Sequence, residues 1–197
     1  MGRPRLHDEN TAAELLVAAE RLLQERGTAA LSLRAVARRA GTSTQAIYSL
    51  YGSKEALLGA LGVHAMKLLH TGVDAIPVTG NPRHDLVEAG LMFRRFALDH
   101  PALFEVAFQR ADPAVAPRFR PTAAEALTAL MRRFESLGAA GLLGGHTVPE
   151  AILAFHSLCE GMAVVELRGI PFGLDPERTW RAAISALLKG FAADFAR

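Results

Sequence analysis

The stretch AGTSTQAIYSLYGSKEAL, residues Ala40 to Leu57, decides how the chain is read. It opens on glycine, threonine and serine, then crowds Ile47, Tyr48, Leu50 and Tyr51 together before Gly52 and a Ser53-Lys54-Glu55 start. The spacing predicts a short helix from about Ser43 to Leu50, and a longer one that begins at Ser53 and runs to about Leu69. Upstream, Ser32 is a good N-cap ahead of Leu33, Val36, Ala37 and Ala40, which share one helical face, and Gly41 ends that helix. Earlier still, Leu15, Leu16, Ala19, Leu22 and Leu23 form one face of an amphipathic helix that Gly27 stops. Counted from Leu33 as position one, Ala37 is fifth, Gly41 ninth, Ile47 fifteenth and Leu50 eighteenth. That is what a helix-turn-helix requires. The small residue lets two helices cross closely, the glycine permits a left-handed turn, and the apolar positions hold the pair. Thr44, Gln45, Ala46 and Ser49 then point outward, with short or amide side chains suited to base edges in a major groove. A helical hairpin with no role on DNA has the same spacing and stands as the plainer alternative.

Bulk properties narrow the field. The chain has 197 residues, enough for one large or two small domains with a real core. Half of the residues are hydrophobic and 21% charged, which is globular composition, and aromatics at only 7% favour helix over sheet. The single cysteine, Cys159, rules out an intramolecular disulfide and fits a reducing, cytoplasmic setting. The segment MGRPRLHDEN lacks an apolar core and a cleavage-like site, so no signal peptide is expected. No run of 18 apolar residues occurs, and no transmembrane helix is expected. The net charge of +2 lies wholly in residues 1–60, which hold eight Lys/Arg and six Asp/Glu. That bias points to an anionic partner there. The arm GRPR, with Arg3 and Arg5, reads either as a minor-groove arm or as a solvated tail.

The remainder also reads as helix. Thr71 to Pro82, with Gly72, Pro77, Gly80 and Pro82, is expected to be a loop and a seam. Helices are expected over Arg83–Asp99, from Pro101 through Phe104 and Phe108, and over Thr122–Leu137. Pro113, Pro117 and Pro121 are read as a connection, and Gly138–Gly145 as a loop. Val148–Arg168 is a long apolar helix, and Asp175 caps a last one with the stripe Trp180, Ile184, Leu187, Leu188, Phe191 and Phe195. The fold class is therefore all-α, about nine helices, with a three-helix helix-turn-helix domain over residues 1–60 and a helical domain over 61–197.

Residues from about Thr11 to Leu61 resemble the DNA-binding domain of TetR-family transcriptional regulators, on the run ERGTAALSLRAVARRAGTSTQAIYSLYGSKEALL. Ala40, Gly41, Ser43, Ile47, Tyr48, Tyr51, Ser53, Lys54 and Glu55 fill the family's places. Five positions depart from them. Thr42 stands for an apolar residue, Gln45-Ala46 for Gly-Thr or Gly-Ala, Leu50 for His or Tyr, and Tyr51 for Phe. The resemblance implies a DNA interface of Ser32, Arg34, Ser43, Thr44, Gln45, Tyr48, Ser49, Ser53 and Lys54. Tyr48 would put its hydroxyl on a phosphate, and the helix start at Ser53-Lys54 would hold another. Ser32 and Ser43 would cap helices or touch phosphate. Thr44, Gln45 and Ser49 would read bases, Gln45 pairing with adenine. For Tyr48 the plainer reading is a core aromatic, and for Lys54 a solvated lysine.

The segment AFHSLCEGMAVVELRGIPF loosely resembles the penultimate helix of the WHG-type C-terminal subgroup. The resemblance implies a homodimer built on the last two helices, a palindromic double-stranded operator, and a small-molecule effector. Phe93, Phe96, Phe104, Phe108, Met131, Phe134, Phe155, Cys159 and Met162 are the candidates to line its site, as an apolar or aromatic pocket or simply as core. Repression relieved by the effector is the expected function; an activator, or a regulator with no small-molecule ligand, is the alternative. An enzyme finds little support. The seven histidines include no H-x-x-x-H pair, Cys159 and His156 lack an orienting carboxylate, and GLLGG is followed by no Gly-Lys-Ser/Thr. Neither cofactor nor metal is implied.

Overall fold

The computed structural model describes residues 5–109, 116–169 and 173–193. Among them the chain is all-helical, with no strand. Its helices are α1 (Arg5–Arg26), α2 (Leu33–Arg39), α3 (Thr44–Tyr51), α4 (Lys54–Asp74), α5 (Pro82–Asp99), α6 (Pro101–Phe104), α7 (Ala116–Ala139), α8 (Val148–Leu167) and α9 (Pro176–Ala193). A 3-10 turn over Thr28–Ala30 leads to α2, and α6 runs into a wide π-type turn, Glu105–Gln109. Residues 1–4, and with them Arg3 of the basic arm, lie outside the described residues, as do Pro113 and Phe195.

The chain divides into two compact units. The first holds the chain up to Met66 together with Pro101–Thr122; the second holds Lys67–His100 and Ala123–Arg197. The expected boundary at residue 60 falls within α4. In the first unit α1 packs on α2 and α6, and α2 on α3. The centre is Leu15, Ala19, Leu31, Val36, Ile47, Leu57, Leu61 and Leu103, all at 1% exposure or less. Leu15, Ala19, Val36 and Ile47 are among the residues whose periodicity marked the helical faces, so there burial follows the sequence pattern directly.

In the second unit α5, α8 and α9 pack on one another. The inner face of α8 is Ala151, Ile152, Phe155, Cys159 and Ala163, and that of α9 is Trp180, Ile184, Leu188 and Phe191. A carboxylate knits the three together. Glu166 on α8 accepts from Arg94 Nε (2.9 Å) and Nη2 (2.6 Å) on α5 and from Trp180 Nε1 (2.9 Å) on α9. The hydrogen bonds that Arg94 donates to Glu166 hold its guanidinium above its ordinary pKa. Thr147 and Glu150 close a reciprocal capping box at the start of α8.

Two sequence expectations are corrected. Thr71–Asp74 is not loop but the last turn of α4. Gly72 lies close against the Met92 side chain, where a Cβ would meet Sδ unless that side chain shifted. The helix then ends on a long-range cap, with Arg133 Nη2 donating to the carbonyls of Val73 and Ile76, each at 2.7 Å. Second, α7 begins at Ala116, so Pro117 and Pro121 lie within it. Pro117, in the first turn, costs nothing there because that N–H has no helical partner, whereas Pro121 is the sixth residue and lies beyond it. α4 and α8 each reach the length and mean hydropathy of a bilayer span, as apolar core helices also do. Each keeps one face in the core, Leu57, Leu61, Ala65 and Leu69 on α4 and the inner stripe on α8, while Leu153, Val165 and Leu167 of α8 stay exposed. Length and composition alone do not separate a core helix from a span.

Candidate nucleic-acid interface

Two caps set up the helix pair. Ser32 is extended (φ −145°) and its hydroxyl accepts from Ala35 N–H at 3.2 Å, starting α2. Ser43 does the same for α3, accepting from Ala46 N–H at 3.1 Å. Between them Gly41 sits at φ 66°, the left-handed region where a side chain is strained. Thr42 N–H donates to Ala37 O at 3.0 Å and closes the turn. Serine capping is therefore the observed role of both residues, and each keeps an exposed position beside the next helix.

α3 then splits into two surfaces. Ile47 is fully buried and anchors it. Gln45, Tyr48 and Ser49 are exposed, and Thr44 and Ala46 are half-buried. Ser49 Oγ donates to Gln45 O at 3.0 Å, so its proton is spent and its lone pairs remain as acceptors. Among the described residues the Gln45 amide has no hydrogen-bond partner within the chain, which leaves both its donor and its acceptor available. Tyr48 is 50% exposed, which removes the core-aromatic reading.

Leu50 differs from its expected place. It was expected to hold α3 against the preceding helices, but it is 39% exposed. The residue that fastens this end of α3 is Tyr51, whose hydroxyl donates to Ala12 O of α1 at 3.1 Å. Burial raises the phenol's pKa above its ordinary value, keeping it protonated and able to donate. The substitution of Tyr for the family's Phe was visible in the sequence; its partner, 39 residues away, was not.

The start of α4 completes the surface. Gly52 turns the chain at φ 70°. Ser53 Oγ accepts from Ala56 N–H at 3.1 Å, so the hydroxyl caps the helix, and the opening amides belong to Lys54 and Glu55. A helix N-terminus is electropositive, so Glu55 suits it and Lys54 adds to the positive potential instead of offsetting it. Arg34 is exposed in the first turn of α2. Arg39 is committed elsewhere: both of its terminal nitrogens hold Glu25 of α1, at 2.7 and 2.5 Å, and hold that carboxyl below its ordinary pKa. The nine candidates thus come from one continuous run, Ser32–Lys54, within the first unit.

The effector candidates fall in both units. Phe104 and Phe108, stacked at 5.5 Å, belong to the first unit. Phe93, Phe96, Met131, Phe134, Phe155, Cys159 and Met162 belong to the second, where Phe134 and Phe155 meet edge to face at 5.5 Å. Of the nine, Met162 lines an apolar groove of about 740 Å³ on α8 and the start of α9, with Leu158, Val165, Leu174 and Trp180. Burial pushes the Cys159 thiol up to about 12, and His156 Nε2 faces Glu160 at 3.3 Å rather than the thiol. No group of three His, Cys, Asp or Glu able to hold a metal occurs among the described residues.

Comparison with known proteins agrees with this architecture. Residues 15–61 match the family described as bacterial regulatory proteins, tetR family, and residues 86–187 match a tetracyclin repressor-like C-terminal domain. No match was found among curated proteins. Among solved structures, a protein of unknown function from Rhodococcus sp. RHA1 is 24% identical, with a TM-score of 0.79 over 92% of this chain and 95% of that one. A tetR-family bacterial regulatory protein from Rhodococcus RHA1 is 19% identical, with 0.69 over 91% and 95%. The transcriptional regulator FadR from Bacillus subtilis, solved in complex with stearoyl-CoA, is 15% identical, with 0.77 over 90% and 98%. At such identities these three speak for the fold; the two matches along the sequence, together spanning more than half of the chain, carry the assignment. The chain belongs to the TetR family, non-enzymatic DNA-binding regulators of transcription.

Proposed function

We propose that the protein is a cytoplasmic, homodimeric repressor that reads a palindromic operator and is released from it by a small apolar or aromatic molecule. The observation that carries the DNA site is the division of α3, with Ile47 fully buried and Gln45, Tyr48 and Ser49 exposed on the other side. Gln45 and Ser49, with Thr44 beside them, face the bases. Tyr48 and the electropositive start of α4 at Ser53-Lys54 hold phosphates; Ser32, Arg34 and Ser43 flank them. Two copies related by a two-fold axis place two such helices in successive major grooves, about 34–36 Å apart.

Dimerisation draws support from the outer faces of α8 and α9. Leu153, Ser157, Gly161 and Val165 form an exposed row on α8, and Ala182, Ala186 and Gly190 form one on α9. Leu153 is 67% exposed, an unusual place for leucine unless a partner covers it. Small residues between the apolar ones allow helices to approach closely.

The effector reading rests on the apolar second unit, where Phe93, Phe96, Phe134, Phe155 and Cys159 are buried and Met131 and Met162 half-buried. The FadR neighbour's stearoyl-CoA makes a long-chain acyl thioester the first probe. Ligand binding would shift the population toward a spacing of the two recognition helices that does not fit the operator. The test is binding to the DNA flanking its own gene at several salt concentrations, with and without stearoyl-CoA. Specific binding that survives physiological salt and weakens with the acyl-CoA supports the whole reading. Sequence-independent binding that vanishes by about 0.15 M salt would sink the specific-regulator reading. Specific binding indifferent to acyl-CoAs removes that ligand class and keeps the DNA site.

A further inference from the structure

The outward surface of α3 carries two rows side by side. Gln45 and Ser49, one turn apart, form a polar row; Ala46 and Leu50, also one turn apart, form an apolar row next to it. Successive residues lie about 100° apart around a helix, so the buried Ile47 sits about 100° from Ala46 and about 60° from Leu50, and roughly opposite the polar row. Leu50 is accessible at 39% although it lies at the crowded end of the helix, and the tether that fixes this end is taken by Tyr51. A leucine at the edge of the buried face, with about two-fifths of its surface open beside an amide and a hydroxyl acceptor, can reach the groove that the polar row faces.

The chemistry of a base pair matches those two rows in one way. Adenine offers N7 as acceptor and N6–H as donor in the major groove, which a glutamine amide satisfies in a bidentate manner. Thymine, its partner, offers O4 and a C5-methyl group, and that methyl is the one apolar feature of the major-groove edge. The Ser49 lone pairs, with the hydroxyl proton held on Gln45 O at 3.0 Å, accept from an exocyclic amine and cannot satisfy a carbonyl. Guanine O6 and N7 would instead call for a fixed donor such as arginine, and none stands in either row.

We propose that Leu50, with Ala46, is a specificity-determining residue that packs on the C5-methyl groups of thymines in each half-site, beside an adenine read by Gln45. This rests on α3 being the helix that enters the groove.

The experiment uses the full chain. A binding site is selected from a randomised duplex library and its half-sites are placed by footprinting. Each thymine is then replaced singly by deoxyuridine, which removes the methyl and leaves the pairing unchanged. At one or two thymines per half-site, affinity is expected to fall about three- to tenfold, the loss of one or two buried methyl contacts. In Leu50→Ala the same replacement is expected to cost less than about twofold, since the methyl has already lost its partner. Leu50→Met, which stays apolar, is expected to retain the dependence. Circular dichroism and Tm establish that each variant is folded. Deoxyuridine that is neutral at every thymine overturns the proposal, and so does a penalty of equal size in the wild type and Leu50→Ala. If a site is selected and its affinity depends on Gln45 but not on the methyls, only this inference fails. If no site is selected, the reading of α3 fails and this inference with it.

Discussion

Tyr48 and Tyr51 lie three residues apart on one short helix and do opposite work. Tyr48 is half exposed, while the Tyr51 hydroxyl is tied to Ala12 O. Removing each hydroxyl should therefore give crossed results. Tyr48→Phe is expected to leave stability within about 0.5 kcal/mol and to weaken operator binding severalfold at every sequence, as a lost phosphate contact does. Tyr51→Phe is expected to lower stability by about 1 kcal/mol, the usual net worth of one hydrogen bond. Urea melts paired with fluorescence anisotropy on operator DNA read both; a Tyr48→Phe variant that melts early and binds normally would reverse the assignment. Cys159 marks a different residue-scale property. Its thiol is pushed up to about 12 from an ordinary 9.0 by burial. At neutral pH the folded thiol is thus uncharged, and a disulfide reagent should label it only at the rate of unfolding. The sign of the pH effect follows. Above about pH 9 the unfolded thiol loses its proton while the folded one keeps it, so stability should fall as pH rises toward 12. Rapid labelling of native protein at neutral pH would contradict this.

At the scale of elements, the chain shows which ends are written locally. The starts of α2 and α3 were legible because Ser32 and Ser43 each cap a helix three residues ahead and Gly41 turns the chain between them. The core faces were legible for the same reason: Leu15, Ala19, Val36 and Ile47 are periodic in sequence and buried in fact. The end of α4 was not. Gly72 and the prolines after it resemble a loop, whereas the helix is continued by packing on Met92 and capped by Arg133, 57 to 60 residues distant. Leu50 failed for the converse reason. Its spacing fits the helix-turn-helix, but a hydrophobic residue in register is not obliged to be inside. Two substitutions measure these elements. Ile47→Ala is expected to cost about 2–5 kcal/mol, the range for emptying a fully buried site. Arg133→Met keeps the length of the side chain but removes the guanidinium donor from both carbonyls, leaving Val73 O with the Ile76 N–H alone. It is expected to cost about 2–3 kcal/mol by denaturant unfolding. Hydrogen exchange should localise that loss to the last turn of α4. Unchanged protection there, with a normal midpoint, would mean the guanidinium is not what holds the helix end.

At the scale of the whole molecule, the proposed assembly concerns a face that monomer packing leaves open. Gly161 is the informative position. It lies in mid α8, in the exposed row between Ser157 and Val165, and a Cβ built on it meets nothing within 4 Å. A side chain there costs the protomer nothing sterically, and replacing a helical glycine should favour the helix by about 0.5–1 kcal/mol. Gly161→Arg therefore separates folding from association, because only a partner helix packed on this row would object to the bulk and the charge. The expected outcome is a folded monomer by sedimentation velocity at micromolar concentration, with circular dichroism unchanged. Affinity for a palindromic site should drop by about a hundredfold or more, since the second half-site no longer adds its share, while affinity for an isolated half-site should stay the same. Gly161→Ala, which adds one methyl, should remain dimeric or nearly so and controls for helix propensity. A Gly161→Arg protein that still sediments as a dimer and binds the palindrome as before would place the interface away from α8. Leu153 and the apolar groove beside Met162 would then need a different explanation.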